Sequence, residues 1–174
     1  MRKTPFIAWL FTLCLMSTSY SQSSAFYFVS SPQSFVGAGQ TVFATPTNGF
    51  DITAFRYGTL KFTCNNSTNT SSWWSVEFEA PYDVLLSVGP YFGAQRATFT
   101  DPGSPGLDFS GEGRGNNTLN GWFNVLEVSY DANTNLLALA VDFVQYDEGH
   151  PFSWNEGSVR FNSSIPIPTP PPAG

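Results

Sequence analysis

Gly121-Trp122-Phe123-Asn124-Val125-Leu126-Glu127-Val128-Ser129-Tyr130 and Leu136-Leu137-Ala138-Leu139-Ala140-Val141-Asp142-Phe143-Val144-Gln145-Tyr146 are two apolar runs separated only by Asp131-Ala132-Asn133-Thr134-Asn135. Strand formers on both sides of a short Asp/Asn cluster predict a β-hairpin, because Asp and Asn bond their own backbone in tight turns. Leu139, Val141 and Phe143 alternate with Ala138, Ala140, Asp142 and Val144, which assigns the first three to one buried face. A third run, Gly157-Ser158-Val159-Arg160-Phe161, is placed to add a strand beside the hairpin.

Outward from this stretch the pattern repeats. Short apolar runs fall at residues 25–29, 40–44, 50–55 and 59–64, broken by Pro32, Pro46, Asn48-Gly49 and Gly58. Trp73-Trp74-Ser75-Val76-Glu77-Phe78-Glu79-Ala80 alternates, with Trp74, Val76, Phe78 and Ala80 on a core side. Trp73, Ser75, Glu77 and Glu79 fall on the opposite, wet side, as an antiparallel sheet with one solvated face requires. Gly89-Pro90 reads as a turn between short strands, and Leu107-Asp108-Phe109 is the apolar insert in a Gly/Pro-rich segment. Roughly ten short strands with turn signals every 8–12 residues predict an all-β fold, an antiparallel β-sandwich of jelly-roll-like type.

Three segments are expected. Arg2 and Lys3, an apolar stretch over residues 6–16 and small residues up to Ser21 read as a secretory signal over residues 1–21. Cleavage is expected before Gln22, or alternatively before Phe26, and the apolar stretch is too short to span a bilayer. Cys14 lacks the small preceding residue of a lipidated cysteine. Residues 26–164 form a single β-sandwich domain, and residues 165–174, Ile165-Pro166-Ile167-Pro168-Thr169-Pro170-Pro171-Pro172-Ala173-Gly174, an extended Pro-rich tail. Loss of the signal leaves Cys64 without a disulfide partner, a small buried hydrophobe.

Charge narrows the partners. The chain has 7 Lys and Arg against 13 Asp and Glu; without Arg2 and Lys3 the balance is 5 − 13 = −8. Such a surface repels phosphate backbones, so nucleic acid is not expected as a partner. The expected location is secreted, periplasmic or at the cell surface. The expected partner is an extracellular or envelope component, or a glycan.

Candidate chemistry is sparse. Glu77 and Glu79 share one strand face with α-carbons about 6.5–7 Å apart, within reach of a glycosidase carboxylate pair, although glutamates are ordinary on a solvated face. Trp73 on the same face is the candidate ligand-binding residue, able to stack on a sugar. Gly111-Glu112-Gly113-Arg114-Gly115 lacks the spacing of a phosphate loop and reads as a flexible inter-strand loop. Asp131-Ala132-Asn133-Thr134-Asn135 resembles the start of a calcium loop, but Leu136 stands where that loop needs Gly. His150, the one histidine, lacks zinc co-ligands and a nucleophile elbow and reads as a solvated loop residue. Arg96 and Arg160 sit in apolar strands and are expected to pair with carboxylates. No metal and no cofactor is expected.

The series Gly89-Pro90-Tyr91-Phe92-Gly93-Ala94-Gln95-Arg96, Gly106-Leu107-Asp108-Phe109-Ser110-Gly111-Glu112-Gly113-Arg114-Gly115-Asn116, Gly121-Trp122-Phe123-Asn124-Val125 and Val141-Asp142-Phe143-Val144-Gln145-Tyr146-Asp147-Glu148-Gly149 resembles a family of exported bacterial all-β domains. The likeness covers about residues 26–164. It implies a secreted β domain with no established activity, so no catalytic role carries over. It also implies a disulfide at the positions that here hold Asn116 and Asp147, leaving the Gly-rich loop to noncovalent contacts. Three functions follow as expectations. The first is a non-catalytic module for surface or glycan contact; the others are a glycoside hydrolase using Glu77 and Glu79, and a structural or adhesive envelope component.

Overall fold

The computed structural model describes residues 21–168. The expected secretory signal lies outside the described residues except for its last position, as do residues 169–174 of the tail. Ten strands follow one another: β1 (Ser23–Ser30), β2 (Thr41–Ala44), β3 (Phe50–Tyr57), β4 (Thr59–Asn66), β5 (Trp73–Glu79), β6 (Gly89–Arg96), β7 (Gly106–Gly111), β8 (Leu119–Tyr130), β9 (Leu136–Asp147) and β10 (Trp154–Ser163). The only other regular elements among the described residues are single 3-10 turns at Pro46–Asn48 and Pro81–Asp83.

The hairpin forms as its sequence requires. β8 and β9 pair antiparallel from Leu119↔Asp147 to Tyr130↔Leu136, and Asp131 closes the turn. Its carboxylate accepts from the Asn133 and Asn135 backbone N–H groups, each at 2.8 Å, and from Asn135 Nδ2 at 2.9 Å. Those bonds hold the exposed Asp131 carboxyl below its ordinary range.

The ladder runs β2-β1-β10-β9-β8-β6-β7-β5-β4-β3. The first six strands are antiparallel neighbours, and so are the last four. One short parallel contact joins the groups, Gln95↔Gly106 and Arg96↔Leu107 between β6 and β7. The sheet therefore folds over on itself as a sandwich of six and four strands that nearly closes into a barrel.

Aromatic side chains fill the space between the layers. Phe28 of β1 lies 4.5 Å from Trp74 of β5 and 5.0 Å from Phe109 of β7, centroid to centroid. Phe78 of β5 lies 5.1 Å from Phe123 of β8. Such pairs contribute about 0.5–1.5 kcal/mol each beyond area burial. Leu139, Val141 and Phe143 are buried on this inner face. Ala138 and Ala140 are buried on the outer one, where Arg160 stands opposite Ala140. Arg160 binds Asp142 at 3.0 Å and the Pro166 carbonyl at 3.3 Å, so the first tail residues run back over this sheet.

Two local expectations change. Gly89-Pro90 is not a turn between strands: both residues lie inside β6, and an irregular loop precedes them. Gly111-Glu112-Gly113-Arg114 is a tight reversal rather than a flexible loop, closed by Arg114 N–H to Gly111 O at 2.8 Å and its reciprocal at 3.0 Å. Glu112 and Gly113 both take positive φ, 51° and 78°, as a type I′ turn requires.

Candidate functional site

The four-stranded layer β7-β5-β4-β3 turns one face to the core and the other outward. Register fixes the second face row by row. Tyr57, Thr59, Glu79 and Gly106 form one row; Phe55, Lys61, Glu77 and Asp108 the next; Thr53, Thr63, Ser75 and Ser110 a third; Asp51, Asn65 and Trp73 a fourth. The inward positions between them, Leu60, Phe62, Cys64, Trp74, Val76, Phe78, Leu107 and Phe109, are all buried. The alternation read in β5 thus extends across four strands.

Glu77 and Glu79 do share this face, but each carboxylate already has internal partners. Glu77 takes Lys61 Nζ at 2.6 Å and Thr59 Oγ1 at 3.2 Å. Glu79 accepts the Thr98 backbone N–H at 3.1 Å, which ties the β6–β7 connection to β5. Across the strands, Glu77 stands directly opposite Asp108, whose Oδ2 lies 3.4 Å from Arg96 Nε. Burial pushes the Asp108 carboxyl above its ordinary value; the Arg96 hydrogen bond and charge oppose this, and the Glu77 charge adds to it. Asp108 Oδ1 is sealed from solvent and has no hydrogen-bond partner.

Aromatic surface is the other component. Trp73 is partly exposed rather than fully at the surface. Phe55 is 46% exposed and Tyr57 88% exposed on the same face. Trp73 lies two strands and four residues from Phe55, which places them roughly 16 Å apart on a pleated sheet. Between them runs the hydroxyl row, with Thr53 and Thr63 bonded through their Oγ atoms at 2.6 Å. Ser75, expected on the wet side, is instead buried, with its Oγ sealed and unpartnered. The face therefore presents apolar rings at two points with the Thr53 and Thr63 hydroxyls between them, which is a surface for polyhydroxylated, flat ligands.

Of the remaining candidates, Arg96 borders this face through Asp108 and the others lie elsewhere. His150 is exposed in the β9–β10 loop. Arg96 and Arg160 each pair with a carboxylate, Asp108 and Asp142. Cys64 is buried, and burial pushes its thiol up to about 12. No group of three or more His, Cys, Asp or Glu side chains among the described residues is arranged to hold a metal ion. No helix among the described residues is long and apolar enough to cross a membrane.

Sequence reasoning missed Asp108, Phe55, Tyr57 and the hydroxyl row. Phe55 was legible, since it alternates with Ala54 and shares parity with Asp51 and Thr53. Asp108 was not, because its place beside Glu77 depends on β7 pairing with β5 rather than with a sequence neighbour.

A buried polar hub lies outside this face. Asp147 Oδ2 accepts from Ser34 Oγ at 2.7 Å, Val36 N–H at 3.2 Å and Ser153 Oγ at 3.3 Å. Asp147 Oδ1 accepts from Asn116 Nδ2 at 2.7 Å and Asn155 Nδ2 at 2.8 Å. With N–H and O–H donors converging on both oxygens, the carboxylate has no lone pairs facing an open cation site. Its role is to tie loops together.

Comparison of the chain with protein-family models, with curated proteins and with solved structures finds no match.

Proposed function

We propose that this chain is a non-catalytic binding module whose β7-β5-β4-β3 outer face contacts an extended polysaccharide outside the cytoplasm. The observation that carries the reading is the joint placement of Trp73, Phe55 and Tyr57 on the outward face that also carries the Thr53 and Thr63 hydroxyls. Rings stack on the apolar faces of sugars while hydroxyls meet their edges. The internal engagement of Glu77 and Glu79 supports binding over hydrolysis, because a general acid or base must reach the substrate's proton. The test is retention on insoluble polysaccharides and titration with soluble oligosaccharides.

One observation favours a hydrolase as the second reading. Glu77 faces Asp108, a carboxyl held above its ordinary value, and acid–base pairs are built from carboxylates whose environments differ. The sealed Oδ1 and the Arg96 contact at Oδ2 weigh against it. Release of reducing sugar that disappears in Glu77→Gln or Asp108→Asn supports this reading; binding without release supports the first.

A further inference from the structure

The ladder ends on β3, and its two ends are finished differently. β2, at the far end, has four residues and runs into Thr45 and Pro46, a short edge of the kind that resists pairing. β3 has eight residues, Phe50-Asp51-Ile52-Thr53-Ala54-Phe55-Arg56-Tyr57, with no Pro and no Lys. It keeps one register with β4 from Phe50↔Asn66 to Tyr57↔Thr59, without a bulge. Among the described residues, no backbone hydrogen bond joins residues 51–57 to anything but β4. A regular edge of this length, charged only at Asp51 and Arg56, is a template for a strand that answers those two charges.

We infer that β3 pairs antiparallel with β3 of a second copy of this chain, about a two-fold axis through Thr53. An axis perpendicular to the sheet keeps both cores on one side, so only residues of like parity meet. With the axis at Thr53, Ile52 meets Ala54 of the second copy, Asp51 meets Phe55 and Phe50 meets Arg56. Large faces small, a cation faces a ring, and no like charges oppose. An axis through Ala54 sets Ile52 against Arg56, and one through Ile52 leaves Phe55, Arg56 and Tyr57 unpaired. The inward residues Phe50, Ile52 and Ala54 are only partly buried in the single chain, and the added strand covers them. The pairing joins two outer faces into one of eight strands carrying two Trp73 side chains. If that face binds polysaccharide, both halves act on one ligand with raised effective concentration. The dimer itself does not depend on that reading.

Cysteine cross-linking tests the register directly. Residues opposed across an antiparallel pair have α-carbons about 4.5–5.5 Å apart, within disulfide range. Cys64 is buried with its thiol pushed up to about 12, so it does not compete. Thr53→Cys is expected to give a covalent dimer on mild oxidation, while Thr41→Cys on the β2 edge stays a single chain. In sedimentation equilibrium the unmodified chain is expected to rise from one to two chain masses with concentration. Thr53→Glu, which sets two carboxylates across the axis, is expected to hold it at one. A mass that stays at one chain throughout overturns the proposal. So does a doubling that survives Thr53→Glu, or cross-linking at Thr41→Cys equal to that at Thr53→Cys. Association only with an added extended peptide also overturns it, by making a partner strand the occupant.

Discussion

Asn116 donates to Asp147 across 2.7 Å with both residues buried, joining the segment after β7 to the end of β9. The same carboxylate holds the β1–β2 loop through Ser34 and Val36, and the β9–β10 loop through Ser153. One side chain thus fixes three loops that are far apart in sequence. Asp147→Ala strands several buried donors, each costing about 1–3 kcal/mol. The expected loss is at least about 3 kcal/mol in chemical denaturation, with faster amide exchange in all three loops. A loss below about 1 kcal/mol, or exchange confined to one loop, contradicts the hub.

Gly111 lies beneath Trp74. A Cβ built on it would stand 2.1 Å from Trp74 Cε3 and 2.7 Å from the Trp73 carbonyl oxygen. Neither the buried ring nor the backbone has room to yield. Gly111→Ala is expected to destabilise by about 1–3 kcal/mol or more through overpacking, whereas Gly115→Ala, whose nearest contact is 3.6 Å, is expected to be mild. Thermal melts of the two variants decide it; equal shifts contradict the packing argument.

Asp108 predicts a pH signature. Its folded carboxyl titrates above the ordinary 3.8 because burial disfavours the charge. The folded state then binds more protons than the unfolded state between those two values. Stability from this group therefore falls as pH rises through 3.8 to the folded value. Asp108→Asn removes the titration, so its stability relative to the unaltered chain is expected to increase with pH across that window. Denaturation midpoints measured from pH 3 to 7 check the sign; a relative stability that decreases with pH contradicts it.

Much of the fold was legible because period-2 patterning is local. The hairpin and the alternation of β5 are read from adjacent residues, and Trp74 is 1% exposed as its parity demands. Gly89-Pro90 misled because a Pro at an exposed position of a strand joined to its neighbours by a bulged ladder looks like a turn. The β6–β7 parallel contact carries no local signal, and without it the pairing of β7 with β5 is invisible. Asn116 and Asp147 enter the sequence reading only through the resemblance; the other donors to Asp147 come from residues 34, 36, 153 and 155, and no spacing announces them. Glu77, Glu79 and Trp73 fell on one face as parity required. Their neighbours Lys61 and Asp108 depend on register between strands, and Thr98 on the path of the β6–β7 connection.

The outer face of the four-stranded layer is the central claim, and Trp73 against Trp74 isolates it. Trp74→Ala is expected to cost about 3–5 kcal/mol as a core truncation. Trp73 is partly exposed, and its loss is expected to stay near about 1 kcal/mol. The deciding measurement is the affinity of Trp73→Ala and Tyr57→Ala for the polysaccharide that retains the unaltered chain, with melting followed in parallel. The account predicts at least a tenfold weaker affinity for each with melting nearly unchanged. Undiminished binding in both variants, with the fold intact, would contradict it.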